Sequence, residues 1–206
     1  MKFSKKLFIT FSLLLLIFST SCVETIVIGS IAGGAVAVRE KSLNDSRKDI
    51  VIGSVLLIEL VANGLKNPGN SIDFTINEGR VLLTGIARDV EKAQLAQLLA
   101  WKVDGVKEVI DEIQIREDGK FYAKDIFSAS YDYLITAQIE TRILFARDVT
   151  SMNFKTTAID GVVYVLGVAE NEFEMRRVLG LAAKVRGVSK VVNHVVLKND
   201  SRRNNK

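Results

Sequence analysis

From residue 48 onward the apolar positions change their period in a fixed order. Between Lys48 and Lys66 they recur at steps of three and four, at Val51, Val55, Ile58, Ala62 and Leu65. That spacing predicts a helix with those five residues facing inward. Ile52, Leu56, Leu60 and Val61 fall off this stripe and form the best candidate for a surface that meets a second module. "NPGN" (67–70) stops the helix, because Pro and Gly do not continue one comfortably. "SIDFTIN" then alternates, with Ile72, Phe74 and Ile76 on one side, as a half-buried strand does. Glu78-Gly79 makes a tight turn in which Gly accepts positive φ, and "RVLLTG" returns as a second strand. Asp89 stands at the N-cap of a second helix that turns Val90, Ala93, Ala96, Ala100 and Val103 inward. Gly105 ends that helix and "VKEVIDEIQI" is a third strand.

The same order returns 82 residues later. "WKVDGVKEVIDEIQI" at Trp101 is rewritten as "AKVRGVSKVVNHVVL" at Ala183. Structural glycines coincide in pairs: Gly79 with Gly161, Gly85 with Gly167, and Gly105 with Gly187. Equal spacing over a whole unit means two copies of one small fold. In the second copy, Tyr131 to Ala146 is the first helix, with Ile135, Ile139, Ile143 and Ala146 inward. "SMNFKTTAI" and "VVYVLG" form the hairpin, Glu172 to Val185 the second helix, and Val188 to Leu197 the last strand. The fold class is α+β: two tandem αββαβ modules, each a three-stranded mixed sheet covered by two helices.

What precedes the repeat has a different character. "MKFSKK" is basic, "LFITFSLLLLIF" is apolar apart from Thr10 and Ser12, and "STSC" supplies small residues. This is the order of a secretory signal, and its apolar part is shorter than the about 20 residues a spanning helix takes. The glycine-rich "IVIGSIAGGAVAV" (26–38) is read as a tether or as a small-residue helix that packs on a partner. "REKSLNDSRKD" breaks it with charge, and the folded part is placed after it. The boundaries are then 1–21 signal peptide, 22–46 tether, 47–115 first module, 116–130 linker, 131–198 second module and 199–206 a basic, disordered tail.

Composition removes several functions. The formal charge is +4, but without Lys2, Lys5 and Lys6 the chain carries 25 bases against 24 acids. Such balance lacks the basic surface of a nucleic-acid binder. One His and one Cys exclude His-based metal clusters and Cys-His or Ser-His relays within the chain. His194 alternates with Val192 and Val196 on the last strand and is assigned a structural role. Asp111 and Asn193 occupy the same repeat position, where a short polar side chain bonds nearby backbone. No catalytic residue, metal site, cofactor or small-molecule substrate is assigned.

The paired glycines, the hairpins and the helix-Gly-Val-x-x-Val endings resemble the BON domain family over about residues 47 to 198. With the leader, the whole resembles the twin-BON outer-membrane lipoproteins of Gram-negative bacteria, including those tied to division sites and phospholipid. That resemblance implies lipidation of Cys22, which is otherwise an incidental thiol, and a place on the periplasmic face of the outer membrane. It implies a non-enzymatic protein that binds phospholipid through the first helix of the second module and supports outer-membrane integrity. Mapped here, the contact set is Tyr131, Tyr133, Leu134, Gln138, Arg142 and Phe145. Arg142 is the only base on that helix face, which favours apolar insertion over selection for anionic lipid. From the residues themselves, Leu134, Leu144 and Phe145 either pack on the sister module or reach a membrane or partner. The alternative function is a protein–protein scaffold in an envelope or secretion assembly, with lipid contact only through the anchor.

Overall fold

The computed structural model describes residues 35–67, 69–116 and 123–203. The leader, Cys22 and most of the tether lie outside them. Helix α1 (Ala35–Ala62) leads to β1 (Lys66–Asn67), β2 (Asn70–Asn77), β3 (Arg80–Ala87), α2 (Val90–Lys102), β4 (Glu108–Asp111) and β5 (Gln114–Ile115). The second module runs α3 (Ala123–Leu144), β6 (Phe154–Ile159), β7 (Val162–Ala169), α4 (Glu172–Ala183) and β8 (Lys190–Leu197). In each module a hairpin is followed by a helix that returns the chain to a parallel partner: β2-β3-β4 and β6-β7-β8. The first sheet is lengthened by β1 against β2 and by β5 against β3.

Both hairpin turns have positive φ at two successive residues, Glu78-Gly79 and Asp160-Gly161. This is the conformation whose twist suits a two-residue hairpin. A Cβ on Gly79 would lie 2.6 Å from the carbonyl oxygen of Gly105, and one on Gly161 2.8 Å from that of Gly187. The turn therefore packs against the loop after the module's second helix. Gly79 and Gly161 accept from the amides of Lys107 and Ser189, both at 2.8 Å. Close packing also fills the space at Gly85, against the Ser71 carbonyl, and at Gly167, against the Asn153 carbonyl. Asp89 and Asn171, one repeat apart, cap α2 and α4 by accepting from Lys92 and Glu174 amides.

Three elements depart from the sequence expectation. Helix α1 begins at Ala35 and runs through the charged "REKSLNDSRKD" stretch. It ends at Ala62, before "NPGN", because Gly64 takes φ 68° and closes the helix. Leu65 donates to the Leu60 carbonyl and Gly64 to that of Val61, and both leucines are buried together. Helix α3 likewise starts at Ala123, inside the stretch expected to be linker. The basic tail is engaged as far as Arg203, whose guanidinium pairs with Glu78 at 2.8 Å. Lys107 Nζ donates to the Arg203 carbonyl at 3.3 Å.

The inward face of α1 is the reverse of the one expected. Ile52, Leu56 and Leu60 are buried against β2, β3 and α2, whereas Val51, Val55 and Ile58 face solvent. A helix that is apolar nearly all round carries two stripes at helical spacing, and periodicity alone cannot choose between them. Leu65 does lie inward. On α2, Ala93, Ala96, Ala100 and Val103 are buried, and Val90 is exposed. On α3, Ile135, Ile139 and Ile143 are buried in the second core as expected.

The modules meet through their sheets, and α1 is not between them. Alternate residues of β3 and β7 face either the helices or the other module. Val81 and Leu83 enter the first core and Val163 and Val165 the second, while Leu82, Tyr164 and Leu166 form a third cluster between the sheets. Ile110 and Val192, at equivalent repeat positions, pack on that cluster. The order of layers is helices, sheet, sheet, helices.

Candidate membrane-contact site

The interface between the sheets encloses a network of polar groups. Arg80 is 1% exposed. Its Nη1 donates to the His194 carbonyl at 2.9 Å and the Gly167 carbonyl at 3.4 Å, and its Nε meets Glu108 Oε2 at 2.5 Å. His194 Nε2 lies 2.9 Å from Glu112 Oε1, and its ring stacks on Tyr164 with centroids 6.5 Å apart. Glu112 and His194 are the same position of the repeat, so the duplication pairs the two copies of one site across the interface. Burial is the main cause that pushes the Tyr164 phenol above its ordinary value, with the charge of Glu112 adding to it and Gln114 opposing. The role of this layer was hidden because β3 and β7 read as continuous apolar runs. Such runs are themselves the signature of a strand buried on both faces.

A second missed feature anchors each hairpin. The Asp49 carboxylate accepts from Glu78 N and Gly79 N, each at 2.8 Å. The Asp132 carboxylate accepts from Asp160 N at 2.7 Å and Gly161 N at 2.9 Å. Two successive residues with positive φ turn their N–H groups to one side, and such a concavity favours an anion. The module's own first helix supplies it. An 82-residue shift puts Asp49 opposite Tyr131, so the repeat alignment passed over a match displaced by one position.

Burial raises the Asp49 carboxyl above its ordinary value, with the charges of Asp45 and Glu78 adding and the two amides opposing. The folded state then holds this proton more tightly than the unfolded chain does. Its contribution to stability falls as pH rises from the unfolded value of 3.8 through the raised folded one. Urea unfolding between about pH 3 and pH 6 should show wild type losing stability relative to Asp49→Asn as pH rises. Parallel curves for the two proteins would contradict this.

Asp111 and Asn193 each fold back on the chain. Their side-chain oxygens accept from Ile113 N and Val195 N, both at 2.9 Å. This is the backbone-bonding role expected from the shared repeat position.

The residues assigned to lipid contact lie on α3, with Phe145 just past its end, and divide into two groups. Tyr131 lies against Gly187, where an added Cβ would meet its ring at 2.6 Å, and Arg142 Nη1 donates to the Lys184 carbonyl at 3.3 Å. Both thus brace the C-terminal end of α4. Tyr133, Leu134, Gln138 and Phe145 point to solvent, as does Leu144. Leu134, Leu144 and Phe145 do not pack on the sister module, since the sheets occupy that contact. Phe145 is 79% exposed. Beside Leu144, a groove of about 440 Å³ runs between α3 and β6, floored by Phe154 and flanked by Ala137 and Met152.

Among the described residues no cluster of three or more His, Cys, Asp or Glu side chains could hold a metal, and no helix is long and apolar enough to cross a membrane. The arrangement is a pair of duplicated modules packed sheet to sheet. The BON domain model matches residues 52–117 and 132–199, and the chain belongs to that family. It is a non-enzymatic protein of the bacterial envelope. It is 35% identical over 134 residues to an uncharacterized protein in the gshII 5′ region of Anaplasma centrale, covering 65% of this chain and 86% of that one. It is 26% identical to the outer membrane lipoprotein DolP of Haemophilus influenzae, covering 85% of this chain and 88% of that one. Osmotically-inducible protein Y of Escherichia coli is 29% identical, over 57% of each chain.

Proposed function

We propose that the protein is a lipid-anchored component of the outer membrane, on its periplasmic face, that docks on phospholipid through α3 and supports membrane integrity. The observation that carries this is the division of labour on α3. One side is spent on the second core through Ile135, Ile139 and Ile143, while Tyr133, Leu134, Leu144 and Phe145 are left in water. Exposed aliphatic and aromatic groups gathered on one helix mark a contact surface. Similarity to a protein named as an outer membrane lipoprotein, over nearly the full length of both, supports the location. Acylation of Cys22 would supply the anchor, at about 0.8 kcal/mol for each buried CH₂.

The docking is apolar. Arg142 is engaged with the Lys184 carbonyl and Glu140 is exposed on the same helix, so the two offset each other's charge on this face of α3. An unlipidated form starting after Cys22 is expected to float with vesicles of zwitterionic lipid nearly as well as with vesicles containing anionic lipid. Leu134→Glu with Phe145→Glu should lower its affinity at least tenfold. Withdrawing about 100 Å² of apolar contact removes roughly 2.5 kcal/mol at about 25 cal/mol per Å². A wild-type form that ignores vesicles of every composition would sink this function.

A further inference from the structure

The outward face of α1 remains uncovered once the modules are assembled. Ile50 and Ile58 are each 67% exposed, Val51 is 61% and Val61 58%, with Val55 and Leu57 flanking them. Together these six side chains present on the order of 600 Å² of aliphatic surface, the size of the largest patch on an ordinary monomer. The two helix layers lie on opposite outer sides of the sheet pair. A flat bilayer that covers α3 therefore leaves this face in water.

We propose that this face is the seam of a homodimer in which two copies of α1 pack antiparallel about Ser54. Three observations on the helix select a second copy as the occupant. Arg47, Val51, Ser54, Ile58 and Val61 follow one another at steps of four, three, four and three, the 3.5-residue period of a packed helix pair. The centre of the exposed apolar patch, from Ile50 to Ile58, is self-complementary about Ser54. Reversing the helix there sets Ile50 against Ile58 of the other copy, Val51 against Leu57, and the aliphatic stem of Arg47 against Val61 at the edge of the apolar zone. A two-fold interface demands this kind of self-match. Finally, the central residue is small, and its hydroxyl already donates to the Ile50 carbonyl at 2.8 Å. Ser54 can therefore enter a dry seam without leaving a donor unpaired and lets the helices approach closely. The aliphatic area is most of the about 800 Å² that each partner buries in a standard interface.

The inference goes beyond the membrane role and stands without it. Sedimentation of the full chain in mild detergent at tens of micromolar should give twice the chain mass. Ile58→Glu should return it to one chain with an unchanged circular dichroism spectrum. Under mild oxidation Ser54→Cys should add a cross-linked dimer beyond whatever Cys22 gives in wild type. Ala129→Cys, at an exposed position of α3, should add none. A wild-type monomer at these concentrations overturns the proposal. So does a dimer that survives Ile58→Glu, or equal cross-linking at positions 54 and 129. Loss of vesicle binding by Ile58→Glu in a chain that is monomeric throughout assigns the face to lipid and also overturns it.

Discussion

Arg80→Ala is expected to destabilise the protein by about 3–5 kcal/mol, the cost of breaking a buried charge network from one side. The guanidinium is enclosed between the sheets and spans both modules. It bonds Glu108 in its own module and the carbonyls of Gly167 and His194 in the other. Alanine strands all three acceptors and leaves a void where a long side chain was packed. The loss should show twice in urea unfolding followed by far-UV circular dichroism. The midpoint should fall, and the single transition should broaden or split as the modules uncouple. Arg80→Lys should fall between the two, because an ammonium keeps the charge but loses the fork that reaches three partners. A change under about 1 kcal/mol for alanine would show that Leu82, Tyr164 and Leu166 hold the interface unaided.

The second large effect is expected at Leu56. It is fully buried between α1 and the first sheet, so Leu56→Ala should cost about 3 kcal/mol through lost transfer energy and a residual cavity. Val55→Ala, one position along, should cost well under about 1 kcal/mol when measured at high dilution, where association does not contribute. The comparison tests which side of α1 faces the core. Equal costs at the two positions would mean the helix is rotated from the orientation described.

Much of this molecule was legible in the chain because its signals are local. The repeat fixed the number of modules. The alternation in "SIDFTIN", the two turn glycines and the cap at Asp89 gave the order of elements. Ile135, Ile139 and Ile143 were readable as inward because Thr136, Glu140 and Thr141 interrupt the other side of α3, so only one apolar stripe runs through the middle of the helix. On α1 that contrast is missing, and the stripe chosen from the pattern was the solvent side. The residues assigned to lipid contact on α3 came from the family resemblance and not from the pattern. Their division into Tyr131 and Arg142, which brace α4, and Leu134 and Phe145, which do not, depends on where α4 ends.

The sequence by itself determined a duplicated αββαβ unit, its turns and the cap at Asp89, because each follows from dihedral preference or periodicity within a few residues. Only the tertiary structure decided how the copies meet. A residue such as Arg80 or His194 has no local partner to announce its role. Besides Glu108 in its own module, Arg80 is held by carbonyls 87 and 114 residues away, and His194 by a carboxylate 82 residues away, brought within hydrogen-bond distance when two sheets bury their second faces on each other. Packing within the first module, on its sheet and on α2, decided which side of α1 is left in water, since a helix apolar on all sides is oriented by what it packs against.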